Sequence, residues 1–167
     1  MVPDESGLLL KALCYEAGHP RRTQHILKVY ALAKLLGERE GVSQEEQQTL
    51  RAAAILHDIP IRLCKIRYHG DACQENQQKE APGLVASFLQ EAGYPSDSIE
   101  KVLQLVLRHH DYTGPHSKLL QLLIEADLLV NCYENPPEEE KRKNLESLFV
   151  TETGKLLFQA YAQFSPK

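Results

Sequence analysis

Four side chains in this sequence are costly to bury and stand where burial is expected. His57 and Asp58 close the apolar run "AAAILHDIP" at 52–60. His25 sits in the middle of an otherwise apolar helical pattern, "TQHILKVY". Asp127 interrupts the most apolar segment of the chain, "LLIEADLLV". A carboxylate or imidazole in such surroundings needs a partner. Taken singly, each has an ordinary one. His25 can be a hydrogen-bonded core histidine, Asp127 can pair with Arg51 or Arg22, and Asp58 can cap the next segment. Taken together they suggest a shared divalent cation, with imidazole nitrogens and carboxylate oxygens about 2.0–2.2 Å from it. Such an N/O mixture suits Mn²⁺, Fe²⁺, Co²⁺, Ni²⁺ or Zn²⁺, with Mg²⁺ as a further candidate, and leaves positions for water and substrate. Successive helical residues point about 100° apart. His57 and Asp58 can therefore converge only on something lying between their directions, near the helix.

The elements that must position these groups are helical. "GLLLKALCYEAG" reads as a first helix. In "RTQHILKVYALAKLLGERE", Ile26, Val29, Tyr30, Ala33 and Leu36 share one face at steps of three and four. "SQEEQQTLRAAAILHD" begins with a capping box, Ser43 and Glu46, and ends near Pro60. The polar stretch "IRYHGDACQENQQ" reads as a loop or short helical turns. "KEAPGLVASFLQEAGYP" reads as a helix stopped by Gly93 and Pro95, with Glu80 and Pro82 in its first turn. "SDSIEKVLQLVLRHH" and "SKLLQLLIEADLLVNCYE" come next, and Pro136 and Pro137 break the chain before a closing amphipathic pair. No alternating strand pattern appears. The expected fold is all-α, a single-domain compact bundle of six to eight helices. Its C-terminal pair spans about 136–164, and one domain covers 1–167.

Bulk composition narrows the function classes. The chain has 167 residues, 43% apolar and 25% charged, with a net charge of -4. That balance suits one soluble domain and argues against a nucleic-acid polymer or an anionic membrane as partner. Four scattered cysteines without a C-x-x-C pair read as reduced thiols. No signal-like N-terminus and no membrane-length apolar run are evident, so a cytoplasmic protein is expected.

The order His25, "LHD" at 56–58 and Asp127 resembles the HD-domain superfamily of metal-dependent phosphohydrolases. Flanking segments strengthen the likeness, which covers a motif core of about 19–134. "RTQHILKVYALAKLLG", with Arg22 three residues before the histidine, "AAAILHDI", "EAPGLVASFLQEAGYP", "VLRHHDYTG" and "LLIEADLLVNCYE" are similar to segments of small stand-alone bacterial members. Two departures stand out: Pro60 where many members have glycine, and Glu80 where many have histidine.

The resemblance implies hydrolysis of a phosphate ester, of a nucleotide or another small phosphorylated metabolite. His25, His57, Asp58 and Asp127 would hold a divalent ion, which acidifies a water and polarises a phosphoryl oxygen. Asp58 could also orient the water, and His109 or His110 could protonate the leaving group. Of these two, His110 is expected to point inward. Arg22, Lys65 and Arg108 are the candidates for countering phosphate charge. A second ion would use Glu80 and His110 or His109, and is expected to be weak or absent. Two other classes remain: a non-catalytic nucleotide-binding or regulatory module, and a di-iron oxygenase. A homodimer is compatible with all three.

Overall fold

The C-terminal half of one helix has no polar face, and the fold is built around it. In α3 (Gln44–Leu56) the run Ala52, Ala53, Ala54, Ile55 and Leu56 is wholly buried. A helix that is apolar all round must be surrounded. It is enclosed by α1 (Glu5–Tyr15), α2 (Pro20–Arg39), α6 (Ser96–Arg108) and α7 (Lys118–Glu134). The three alanines project little, so neighbouring helix axes can approach closely there. The computed structural model describes residues 2–163, and within them it is all-α, with no strand.

The remaining helices are α4 (Pro60–Arg67), α5 (Gln74–Glu91), α8 (Glu139–Glu146) and α9 (Glu152–Ala162). Nine helices among the described residues exceed the expected six to eight by one. The addition is α4. Helix α3 does end before Pro60, as expected of a proline stop, but Pro60 also opens the next helix at its first position. A proline has no amide hydrogen to miss there, and its fixed φ suits the first turn. Helix α5 begins at Gln74, earlier than expected, so the end of the stretch read as a loop or short helical turns belongs to it. Pro82 consequently lies inside α5, and Glu80 is not in its first turn.

Side-chain caps fix several helix starts, among them the capping box read from the sequence. Ser43 and Glu46 form the reciprocal capping box of α3. Ser117 caps α7. His19 is structural, since its Nδ1 accepts from the Arg22 amide and caps α2. All four cysteines are free thiols, with Cys64 and Cys132 buried. Among the described residues no helix is long and apolar enough to cross a membrane.

Candidate metal centre

Three helices bring the four suspected ligands to one point. α2 carries His25, the end of α3 runs into His57 and Asp58, and α7 carries Asp127. His25 Nε2 lies 3.0 Å from His57 Nε2 and 3.1 Å from Asp127 Oδ1. Asp58 Oδ2 stands 3.4 Å from His25 Nε2 and 3.3 Å from His57 Nε2. Asp127 Oδ1 is 3.4 Å from His57 Nε2. These spacings have a direct chemical meaning. Ligands about 2.1 Å from a central ion are separated by about 3.0 Å in an octahedron and about 3.4 Å in a tetrahedron. The four atoms are thus spaced as the corners of a coordination polyhedron.

The histidine tautomers agree with that arrangement. His57 Nδ1 lies 2.7 Å from the carbonyl oxygen of Ala54 and must donate to it. His25 Nδ1 lies 2.6 Å from Glu134 Oε1, again an acceptor. Each Nδ1 therefore carries a hydrogen, and in the neutral ring each Nε2 keeps a lone pair directed inward. Without a cation, lone pairs and carboxylate oxygens would face one another, so the donor set fits a divalent metal. The single-residue alternatives fall away for Asp127. Arg51 pairs with Glu5 at 2.9 Å and Arg22 with Glu16 at 2.7 Å, leaving neither for it.

The electrostatics show the same demand for positive charge. Burial disfavours the His25 imidazolium, but hydrogen bonds to Asp127 and Asp58 outweigh it and raise its pKa to about 9. Burial opposes protonation of His57 too, and the Asp58 and Asp127 carboxylates overcome it, pushing the pKa well above the ordinary value. Both carboxylates move the opposite way. Burial raises them, yet the charge and hydrogen bonds of the histidines hold Asp58 and Asp127 well below the usual range. Protons on the histidines can supply that charge, and so can a metal.

A second group adjoins the first through Asp58. One ligand atom each of Asp58, His109 and His110 lies within 4.8 Å of the others. The expectation that His110 would be the inward member of the pair is corrected. His109 is buried, its Nδ1 faces the Val106 carbonyl oxygen at 2.7 Å, and its buried Nε2 has no hydrogen-bond partner. That nitrogen points toward Asp58 Oδ1 at 3.5 Å. His110 is exposed, with its ring 3.9 Å from that of His109 and its Nδ1 3.4 Å from the Tyr112 hydroxyl. Standing just past the end of α6, it is carried outward by the turn.

Glu80 is the second correction. It is not a member of either group and is engaged by Arg67 and by the Tyr68 hydroxyl. Its mid-helix position on α5 serves the α4–α5 contact instead. Arg22 is held by the buried Glu16, and Arg108 pairs with Asp111 at 3.2 Å. Lys65 is exposed and enters no ion pair among the described residues. Two residues escaped the sequence reading. Glu134 orients His25, and its spacing of seven from Asp127, two turns along one face of α7, was the available signal. Tyr112 stands beside His110; burial and the Asp127 and Asp58 charges push its phenol up to about 12, so it remains a proton donor.

Against known families, the model described as HD domain matches residues 22–132, a span that contains both histidine–aspartate groups. No curated protein and no solved structure matches the chain.

Proposed function

The chain belongs to the HD domain family, and on that premise we propose that it is a metal-dependent phosphohydrolase acting on a nucleotide or another small phosphorylated metabolite. The observation that carries this reading is the set of four inward-facing ligand atoms spaced 3.0–3.4 Å along their measured edges, with both Nδ1 atoms occupied elsewhere. His25, His57, Asp58 and Asp127 would hold the ion. When bound, it acidifies a water and polarises a phosphoryl oxygen.

The chain's own groups do the rest. Asp58 Oδ1 and His109 Nε2 are acceptors 3.5 Å apart. A water placed between them donates to both, so they orient it and His109 can take its proton. The proton needed by the departing alkoxide comes from the rim, where His110 and Tyr112 are the protic side chains. The deciding experiment is a panel of phosphate esters with protein reconstituted with Mn²⁺, Fe²⁺ or Zn²⁺, alongside Asp58→Ala. Hydrolysis that requires metal and vanishes in the variant is expected. Equal turnover in Asp58→Ala would remove the site from the reaction, and saturable nucleotide binding without any turnover would make the protein a regulatory module.

A second reading rests on the group Asp58, His109 and His110. With Asp58 shared, it offers a neighbouring cation position without Glu80. One equivalent of tightly held metal is expected by elemental analysis. Two equivalents of iron with dioxygen uptake would move the protein to the oxygenase class.

A further inference from the structure

A cavity of about 370 Å³ runs beside the metal centre, between α2 and α7 and under α8. Its volume lies in the range of small-molecule sites, roughly 300–1,000 Å³. It borders the centre through shared residues. Glu134, which holds His25 Nδ1 at 2.6 Å, lines it, and so does Tyr112, the neighbour of His110. Asn131 and Asn135 extend the wall one and two turns beyond Asp127. Two cations face this space. Arg21 lies one turn before His25 on α2, and Lys141 comes from α8, outside the segment that the family model matches. Neither enters an ion pair among the described residues, whereas Arg22, Arg51, Arg67 and Arg108 all do.

The placement separates two anionic demands. The scissile phosphate belongs at the metal centre. Arg21 stands one helical turn, about 5.4 Å of rise, before His25 and lines the cavity rather than either histidine–aspartate group. We infer that the substrate carries a second anionic group, a phosphate or carboxylate on its leaving portion, which Arg21 and Lys141 receive while Asn131 and Asn135 contact the polar body between the two charges. This inference rests on the phosphohydrolase reading and names its substrate class: a phosphate ester that bears a second anionic group and is small enough for the cavity. Arginine suits either terminal group because its planar fork makes two parallel hydrogen bonds.

The test compares matched pairs on metal-loaded protein: a sugar bisphosphate against its monophosphate, and a nucleoside 3′,5′-bisphosphate against the 5′-monophosphate. At least one bisphosphate is expected to exceed its partner in kcat/KM by about tenfold or more, the scale of one charge-assisted contact. The Arg21→Gln/Lys141→Gln double variant should bring that ratio close to one, chiefly through KM. Lys143→Gln, on the same helix but paired with Glu139 and outside the cavity, should retain the ratio. Equal kcat/KM within both wild-type pairs, or a preference that survives the double variant, would overturn the inference and leave the phosphohydrolase reading standing. If no ester is hydrolysed, that reading fails, and calorimetric titration with the same bisphosphates judges the cavity. Saturable binding lost in the double variant supports it, and absence of binding by the wild type overturns it.

Discussion

Two buried carboxylates stand two residues apart on α7 and meet opposite fates. Glu125 is fully buried, and the protein itself satisfies it. The backbone amides of Val150 and Thr151 donate to its Oε1 at 2.6 and 2.9 Å, the Gln121 amide at 3.0 Å, and the Thr151 hydroxyl to Oε2 at 2.6 Å. It ties the start of α9 to the core, and the Cβ that Gly154 lacks would collide with it. Asp127 is just as buried, but its neighbours are the Nε2 atoms of two histidines whose other nitrogens already donate. Burial therefore does not identify a functional acid. The informative quantity is the supply of protein donors, complete at Glu125 and deficient at Asp127.

The contrast can be broken experimentally, beginning with the largest effect. Asp127→Asn should reduce turnover to background and weaken metal affinity by more than about a hundredfold, beyond the 10–100-fold typical of losing a supporting contact. The protein should still fold, as circular dichroism and a cooperative melt would show. Glu125→Ala should do the reverse. It removes the acceptor of two backbone amides, the Gln121 side-chain amide and a hydroxyl and should cost roughly 3–5 kcal/mol, read by urea unfolding, with metal stoichiometry retained. A metal-binding defect in Glu125→Ala at full stability would abolish the distinction.

Glu134→Gln tests the next tier. The amide oxygen can still accept from His25 Nδ1, but the negative charge that makes the ring a stronger ligand is gone. Metal affinity should fall about tenfold, within the range for such supporting groups, measured by competition with a chelator.

A pH dependence tests the same contrast without a substitution. In the metal-free protein His25 has a pKa of about 9, against 6.5 for an unperturbed imidazole. The stability it contributes is fully present below about 6.5 and is lost as pH rises through about 9. A metal must displace that proton and the one on His57, whose pKa is also raised, so apparent affinity should strengthen with pH between 6 and 9, by up to about tenfold per unit for each displaced proton. Accordingly, the rise in Tm on adding Mn²⁺ should grow between pH 6 and 9. A Tm shift that is flat over this interval would mean that His25 is not protonated in the metal-free site.

The four central residues were legible in the sequence because each violates a local rule. A histidine on an apolar helical face, an adjacent His-Asp at a helix end and an aspartate in the most apolar helix are all visible without coordinates. The all-α class was legible for the same kind of reason, since periodicity and caps act within a few residues. Pro60 and Glu80 were misread because their meaning depends on the conformation of the chain around them. A proline stop and a proline start look alike in sequence, and only the earlier start of α5 removes Glu80 from a first turn.

What tertiary structure alone decided was direction and partnership. Two adjacent histidines, His109 and His110, have the same side chain; the turn after α6 sends one into the core and the other to the rim. Glu125 and Asp127 are equally conspicuous acids in one apolar run. Packing of the start of α9 against α7 brings three of the four donors to the first, and the approach of α2 and α3 brings lone pairs to the second. A sequence records which groups are costly to bury. Which of them find protein partners depends on contacts between residues far apart in the chain, such as His25 with Glu134 and Glu125 with Thr151, and those are set by how the helices cross.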